Sequence, residues 1–351
     1  MTLERSALSG LATGVGSLPF TDAETALNLI FRSCPEIPFW PQLPKRSHFE
    51  SMIAQFSENL PCLEATEEGV VYNPANREEK LEKFYERIIA QDIEYFKISD
   101  KFALGLYKFF RRLEGADLSA VKYIKCHVTG PFTFAAGISD ENEVALLHDE
   151  VFMQVITKGL IMKALWQLNL LRKFNKPLVI FFDEPYLAAF GSAYTAITRE
   201  KVVEVLKEIT GGVKSADTLI GVHCCGNTDW SMLMDAAGVD IINFDAFDYL
   251  ERLALYAANL KGFLQRGGML CWGIVPTAEF GPRVTPELLL KKVTEGIAGL
   301  EQKGVSRQLI ESNLLFSPSC GLGTLDTGKA EGILGALAEV SRLYRKGLSL
   351  A

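Results

Sequence analysis

The sequence predicts an α/β fold, a TIM (β/α)8 barrel, as a single domain over residues 1–351. Apolar runs of strand length alternate with helical segments, and no Pro-, Gly- or Ser-rich linker interrupts them. The strands lack a polar face, which is typical of a parallel sheet covered by helices. Counting a short proline-flanked run near Phe39 gives eight strands in 351 residues, which favours a barrel. A doubly wound open sheet is the alternative, but no G-x-G-x-x-G loop opens a helix.

The first half of the chain is the less regular one. Residues 11–19 are predicted to form a short buried strand that ends in a tight loop, and Thr21 or Asp22 then caps a helix that reaches about Arg32. Four prolines between residues 35 and 44 predict a second short strand within an irregular insertion after the first βα unit. The other elements predicted for this half are an amphipathic segment at 47–63, a surface hairpin at 68–73, helices at 77–97 and 100–114, a strand at 121–128 and a long helical region at 143–174.

The second half alternates more regularly between strands and helices. Strands are predicted at 176–182, 218–223, 239–244, 268–274 and 313–317. Helices are predicted at 199–210, from residue 228 or 229 onwards, and at 248–266, 285–303 and 327–345.

Composition excludes several classes of function. The net charge is −7, from 36 basic and 43 acidic residues that are mixed along the chain, so neither nucleic acid nor an anionic membrane surface is an expected partner. The longest apolar runs have the length of strands, well short of a membrane span. Residues 1–7 lack the basic and apolar regions of a secretory signal. Seven scattered cysteines, an odd number, do not resemble a disulfide framework, and they favour a reducing cytoplasm.

The segment from Gly221 to Thr228 carries the strongest chemical signal. His223 and Cys225 lie two residues apart at the end of an apolar run, so on a strand their side chains point to the same side. Imidazole nitrogen and thiolate sulfur together are typical zinc ligands. Cys320 also follows an apolar run, and one His with two Cys forms a site with an open position, as in catalytic zinc sites. The alternative is that these are inert core residues, since buried cysteines are common.

Other polar residues and glycines are predicted at strand ends, where active sites form in a barrel. They include Gly16, Ser17, Asp183 and Asp245. Each has a structural alternative, because glycine often ends a strand and aspartate often caps the next helix. Their shared placement is the reason to predict a site.

These residues resemble motifs of the catalytic domain of cobalamin-independent methionine synthase, in the superfamily that includes uroporphyrinogen decarboxylase. The resemblance covers about residues 13–324. It implies a zinc-dependent methyltransferase that transfers a methyl group to homocysteine to give methionine. The implied zinc ligands are His223 and Cys225 of a His-x-Cys pair, Asp245 where the family has glutamate, and Cys320 of Pro-x-Cys-Gly-Leu; the implied substrate contacts are Gly16, Ser17 and Asp183. Whether Asp245 or water is the fourth zinc ligand stays open.

The chain also departs from that family. The folate-contacting glutamate falls on Ala189, the proposed proton-donating histidine falls near Val275, and the amine-contacting glutamate falls near Leu43. No residue is therefore assigned as catalytic. The His-x-Cys-Gly-Asn segment resembles the methylcobamide:thiol methyltransferases of the same superfamily as well. A methylcorrinoid, either methylcobalamin or a methylated corrinoid protein, is accordingly expected as methyl donor in place of methyl-folate. The alternatives are a zinc enzyme acting on another small thiol, and a non-catalytic zinc-binding protein.

Overall fold

The computed structural model describes residues 5–192, 195 and 197–348. Both ends of the predicted domain, residues 1–4 and 349–351, lie outside the described residues. An antiparallel hairpin and a parallel sheet of six strands form in the described part of the chain, and the strand order of the sheet follows the sequence. The hairpin consists of β1 (Leu63–Ala65) and β2 (Val70–Tyr72), and the sheet of β3 (Ile124–Thr129), β4 (Leu178–Asp183), β5 (Thr218–Cys224), β6 (Ile241–Phe244), β7 (Met269–Val275) and β8 (Leu314–Pro318).

The prediction of a closed eight-stranded TIM barrel was wrong. The six parallel strands found in the described residues form an open half-barrel, with β3 and β8 at its edges. The two segments predicted as the first strands make only isolated bridges to those edges, Ala12 to Phe316 and Phe39 to Lys125. Prolines 38, 41 and 44 remove backbone donors around Phe39, so a continuous ladder does not form there.

Twelve α-helices surround the sheet in the described residues. They are α1 (Ala23–Ser33), α2 (Arg77–Ile89), α3 (Asp100–Gly115), α4 (Pro131–Ala136), α5 (Glu150–Leu171), α6 (Arg199–Val213), α7 (Trp230–Asp235), α8 (Ala246–Leu253), α9 (Ala257–Gln265), α10 (Pro286–Gln302), α11 (Arg307–Glu311) and α12 (Thr327–Leu348). The sequence prediction missed the short helices α4 and α11. It also extended α2 too far, because residues 93–96 form a separate 3-10 turn.

Between α1 and α2 the chain is irregular, as expected from its prolines. The amphipathic segment predicted at 47–63 forms two 3-10 turns, His48–Glu50 and Ala54–Phe56. The predicted surface hairpin is present as β1 and β2. None of the helices in the described chain is long and apolar enough to cross a membrane.

Strand register brings four polar side chains into one row. Thr129 pairs with Asp183, Asp183 with His223, and His223 with Asn243. Because the strands are parallel, their carboxyl ends meet at one edge, where the crevices of open α/β sheets bind ligands. Lower on the same face, an apolar cluster that includes Val179, Phe181, Leu219 and Ile241 fills the concave side.

Candidate metal centre

The structure brings together three of the four predicted metal ligands. The ligand atoms of His223, Cys225 and Cys320 all lie within 4.8 Å of one another. His223 is the sixth residue of β5, Cys225 follows that strand directly, and Cys320 lies two residues beyond the end of β8. His223 is 2% exposed, so the group forms at the bottom of the crevice rather than on the surface.

Asn243 fixes the orientation of the His223 ring. Its Nδ2 donates to the backbone carbonyl of Cys271 (2.8 Å) and to Ser317 Oγ (2.8 Å), so its Oδ1 faces His223 Nδ1 at 2.7 Å. Because that oxygen can only accept, His223 Nδ1 carries a proton, and Nε2 is the ring nitrogen left to face the two sulfur atoms. Hydrogen bonds of this type orient the imidazoles that ligate metals in proteins.

The two cysteine thiols of the group shift each other's pKa in opposite directions. A hydrogen bond from the Cys225 thiol holds the pKa of Cys320 well below its ordinary value and raises the pKa of Cys225. The His223 ring favours the Cys320 thiolate further. The adjacent Cys224 points to the opposite side of β5, where burial raises its pKa to about 12 and its Sγ donates to the Gly226 carbonyl. Cys224 is therefore a packing residue.

Asp245 lies beside the group without joining it. Its Oδ1 accepts hydrogen bonds from the backbone N–H groups of Phe247 (3.0 Å) and Asp248 (3.1 Å), and it thereby caps α8. Burial raises the pKa of Asp245 to about 6. The capping alternative recognised in the sequence is thus realised, and metal ligation by the second oxygen stays a prediction.

Asp183 lies next to His223 in the sheet register and is 7% exposed. Burial raises the pKa of Asp183 to about 6, while His223 and Lys125 act in the opposite direction. Its Oδ1 is buried and has no hydrogen-bond partner among the described residues. A buried carboxylate oxygen without a donor is costly unless a ligand or water supplies one.

The predicted loop of Gly16 and Ser17 lies against the segment that carries Cys320. Ser17 Oγ accepts a hydrogen bond from Gly323 N (3.2 Å), and the Ser17 carbonyl accepts one from Leu322 N (2.9 Å). Gly16 packs on the ring of His127, where a Cβ atom would come within 2.8 Å of the ring. Any larger residue at position 16 would push this loop away from the crevice.

Three further buried ionisable residues lie in this region, and the sequence analysis gave none of them a role of its own. Lys125 donates from Nζ to the Val15 carbonyl (2.6 Å), and burial lowers its pKa. Glu184 accepts from the backbone N–H groups of Phe132 and Thr133 at the start of α4, and burial raises its pKa to about 7. The third is His127.

His127 stacks on Trp40 with ring centroids 4.0 Å apart, and burial lowers its pKa well below 6.5. Neither of its ring nitrogens has a hydrogen-bond partner in the part of the chain that the structure describes. The available sequence signal was the polar residue at every second position of β3: Lys125, His127 and Thr129.

The aromatic side chains near this end of the sheet differ in burial. Tyr186, Phe190 and Phe280 are half-buried, but Trp272 lies inside β7 and is fully buried, so it does not belong to any rim. Val275 is the last residue of the same strand and is also fully buried.

Comparison of the chain with protein-family models and with curated proteins found no match. The geometry of the site and the motifs in the sequence are therefore the basis for any functional assignment.

Proposed function

We propose that this protein is a zinc-dependent methyltransferase whose methyl acceptor is a small thiol, homocysteine being the expected one. The observation that carries the proposal is the group of His223, Cys225 and Cys320, whose ligand atoms lie within 4.8 Å of one another at the carboxyl edge of the sheet. The chain's resemblance to methionine synthase motifs supports the same function.

The donor set fits zinc. Zn–N and Zn–S bonds of about 2.0–2.3 Å in a tetrahedron place ligand atoms roughly 3.5–3.8 Å apart, which small side-chain rotations reach from the observed arrangement. His223 Nδ1 is held by Asn243 at 2.7 Å, so Nε2 is directed at the metal position. Three protein ligands leave a fourth position for substrate, and in its absence Asp245 or water is the proposed fourth ligand.

Bound zinc would lower the pKa of a coordinated substrate thiol and hold it as a thiolate, the nucleophilic form. The chain's own residues would hold the rest of the acceptor. Asp183 presents a buried oxygen without a partner among the described residues, which suits an ammonium group. Gly16 and Ser17 lie against the Cys320 segment and are proposed to hold the carboxylate. Such positioning of two reacting groups is a large part of catalysis.

For the methyl donor we propose a methylcorrinoid, either methylcobalamin or a methylated corrinoid protein. Methyl-folate needs a general acid, since its nitrogen leaves poorly unless it is protonated. At the position where the resembled family has its proton donor, this chain has Val275, which is apolar and fully buried in β7. Cobalt(I) leaves a methylcorrinoid without taking up a proton, so it requires no acid.

The reducing cytoplasm is the proposed location. All seven cysteines are free thiols, and five of them are buried. Thiols persist in that form where glutathione and thioredoxin keep them reduced.

The test is a methyl-transfer assay on protein whose zinc content has been measured. Homocysteine is offered with methylcobalamin and with methyl-folate in parallel, and methionine is quantified. We expect about one zinc per chain. We also expect that methionine forms from homocysteine with methylcobalamin as donor and does not form with methyl-folate. A protein that binds no zinc, or that methylates no thiol with either donor, would contradict the proposed function. Turnover with methyl-folate in corrinoid-free protein would contradict the proposed methyl donor but not the proposed methyltransferase function.

A further inference from the structure

Residues 14–17, the acceptor loop, lie between two stretches of backbone pairing. Before the loop the chain is bonded to β8 through Thr13 N (2.9 Å), and at the end of the loop the Gly16 carbonyl accepts from residue 42 (3.1 Å). In between, no backbone N–H of the described residues donates to the Val15 carbonyl. The loop that is proposed to hold the substrate carboxylate therefore needs another attachment at Val15.

Lys125 in β3 supplies that attachment. Its Nζ donates a hydrogen bond to the Val15 carbonyl (2.6 Å), and its backbone N–H donates to the Pro38 carbonyl (2.9 Å). Val15 belongs to the first of the two segments that were predicted as strands, and Pro38 belongs to the second. A single residue of the edge strand β3 thus holds both segments, which otherwise reach the sheet by isolated bridges.

The surroundings of Lys125 indicate that its side chain is present for this bond. Lys125 is fully buried, and its ammonium lies 4.4 Å from the centroid of the Phe181 ring. A buried ammonium costs free energy that an apolar side chain of similar length would not. The bond to Val15 is the only hydrogen bond of Nζ within the described part of the chain. What lysine contributes here beyond an apolar residue is therefore the position of the acceptor loop.

The backbone around Val15 lies close to the residues that line the sheet. A Cβ on Gly14 would come within 2.2 Å of the Phe39 ring, so the chain passes this ring with no room for a side chain. The Lys125 ammonium lies 5.8 Å from the centroid of the same ring. Because Gly14 packs on Phe39 and Val15 is bonded to Lys125, the path of the backbone into Gly16 is fixed.

The strand β3 also determines where Asp183 lies. Its residue Thr129 pairs with Asp183 in the sheet register, and Lys125, four residues earlier, is on the same face of β3. The proposed ammonium contact and the proposed carboxylate contact are therefore both positioned by one strand. An acceptor with both groups on one carbon atom requires these contacts at a fixed separation.

We propose that Lys125 is a positioning residue for the methyl acceptor. By its bond to Val15 it holds the acceptor loop at the separation from Asp183 that an α-amino acid requires, and it thereby makes the site selective for thiols that carry a carboxylate. Lys125 acts through the loop and does not itself contact the acceptor. This inference rests on the proposed function and deepens it.

Binding of three thiols to zinc-loaded protein tests the inference. Homocysteine carries both groups, 4-mercaptobutanoate carries only the carboxylate, and 3-aminopropane-1-thiol carries only the ammonium. Lys125→Met removes the bond to Val15. Calorimetry should then show homocysteine and 4-mercaptobutanoate bound about tenfold more weakly, and 3-aminopropane-1-thiol bound within about twofold of the unaltered protein. In methyl transfer, the KM for homocysteine should rise about tenfold while kcat changes less than about twofold.

Lys163→Met is the matched control. Lys163 is also fully buried, and its Nζ likewise donates to a backbone carbonyl at 2.6 Å, that of Glu58. This bond joins α5 to a segment outside the acceptor loop, so the control removes a buried ammonium without releasing the loop. All three thiols should bind to Lys163→Met with unchanged affinity.

Parallel weakening of all three thiols, unchanged binding by Lys125→Met, or the same change of selectivity in Lys163→Met would overturn the inference. If Lys125→Met does not fold, Lys125→Gln replaces it, because the glutamine amide is one bond too short to reach Val15. If neither variant folds, Lys125 is required for folding rather than for selectivity, and the inference is overturned as well. If the unaltered protein binds none of the three thiols, the proposed function itself fails.

Discussion

Two groups of polar side chains lie at the carboxyl edge of the sheet, and they differ in how their hydrogen bonds are satisfied. Around His223 the network is closed: Asn243 holds Nδ1, and its own amide nitrogen bonds the Cys271 carbonyl and Ser317. On β3 and β4 the network is open, because His127 and the Asp183 Oδ1 have no hydrogen-bond partner among the described residues.

In the first group the protein itself supplies every hydrogen-bond partner, whereas in the second group a ligand must supply the missing ones. A fully satisfied buried network holds its members in one geometry, which is what a metal site requires before the metal binds. An unsatisfied buried atom costs free energy in the free protein, and this cost is recovered if a ligand supplies the missing partner. The closed group is therefore the expected metal site, and the open group contains the expected acceptor site.

The largest expected effect comes from removing a ligand of the closed group. Cys320→Ser should retain less than about a tenth of the zinc found in the unaltered protein, because a hydroxyl is a far weaker zinc ligand than a thiolate. Mass spectrometry of the purified proteins measures this. Cys224→Ser is the matched control, since Cys224 points away from the site and bonds Gly226. Undiminished zinc in Cys320→Ser would exclude Cys320 as a ligand.

Substitution of Asn243 tests whether its hydrogen bond to His223 contributes to zinc affinity in addition to the three ligands. Asn243→Leu removes the partner of His223 Nδ1 and leaves all three ligand side chains in place. Loss of such an orienting hydrogen bond is expected to weaken zinc affinity by about 10- to 100-fold. Competition with a chelator measures the affinity, and the thermal midpoint of the variant shows whether the fold persists. Equal affinity in a folded variant would mean that packing alone orients the ring.

Asp183 tests the open group. Asp183→Asn keeps the shape and removes the charge, so homocysteine should bind about tenfold more weakly, as expected for a lost charge-assisted hydrogen bond. Zinc content should not change, and 4-mercaptobutanoate, which lacks the ammonium group, should bind equally to both proteins. Since burial raises the pKa of Asp183 to about 6, the carboxylate is ionised above that pH, and homocysteine affinity should fall as the pH drops through 6. Parallel weakening of both thiols would contradict an ammonium contact.

The sequence predicted the individual strands well but not the way in which the sheet closes. An alternating pattern located β3 and apolar runs located β4 to β8, each within about three residues, and the i, i+2 spacing of His223 and Cys225 placed both at one site. Closure of the barrel could not be predicted reliably, because it depends on consecutive backbone pairs at each edge. The structure shows a single bridge at Ala12 and another at Phe39.

The orienting and buried residues were harder to find for a different reason. Asn243 stands alone in the apolar strand β6, and one polar residue in such a run changes neither its periodicity nor its length. His127 alternates with Lys125 and Thr129 in β3, and such alternation predicts a half-exposed strand rather than a buried polar site. The role of Asn243 depends on His223 and Ser317, which are 20 and 74 residues away, and the environment of His127 depends on Trp40, which is 87 residues away. Only the assembled sheet reveals them.

Substitution of His127 has the smallest expected effect. It tests whether His127 and Asp183, the two members of the open group, have different roles. The tip of its ring packs against Gly16, where a Cβ would lie 2.8–3.0 Å from three ring atoms, so the chain itself covers the two nitrogens. We therefore expect that no substrate atom bonds the ring nitrogens of His127, unlike Asp183 Oδ1, and that their burial lowers the stability of the protein.

His127→Met fills a similar volume with an adaptable side chain that keeps a favourable contact to Trp40. It should raise the free energy of unfolding by about 1 kcal/mol, because two buried unsatisfied nitrogens are removed. Denaturant unfolding measures the gain, and homocysteine affinity should be unchanged. A variant that is stable but binds homocysteine more weakly would assign the ring nitrogens of His127 to the acceptor site and place both residues in the same role.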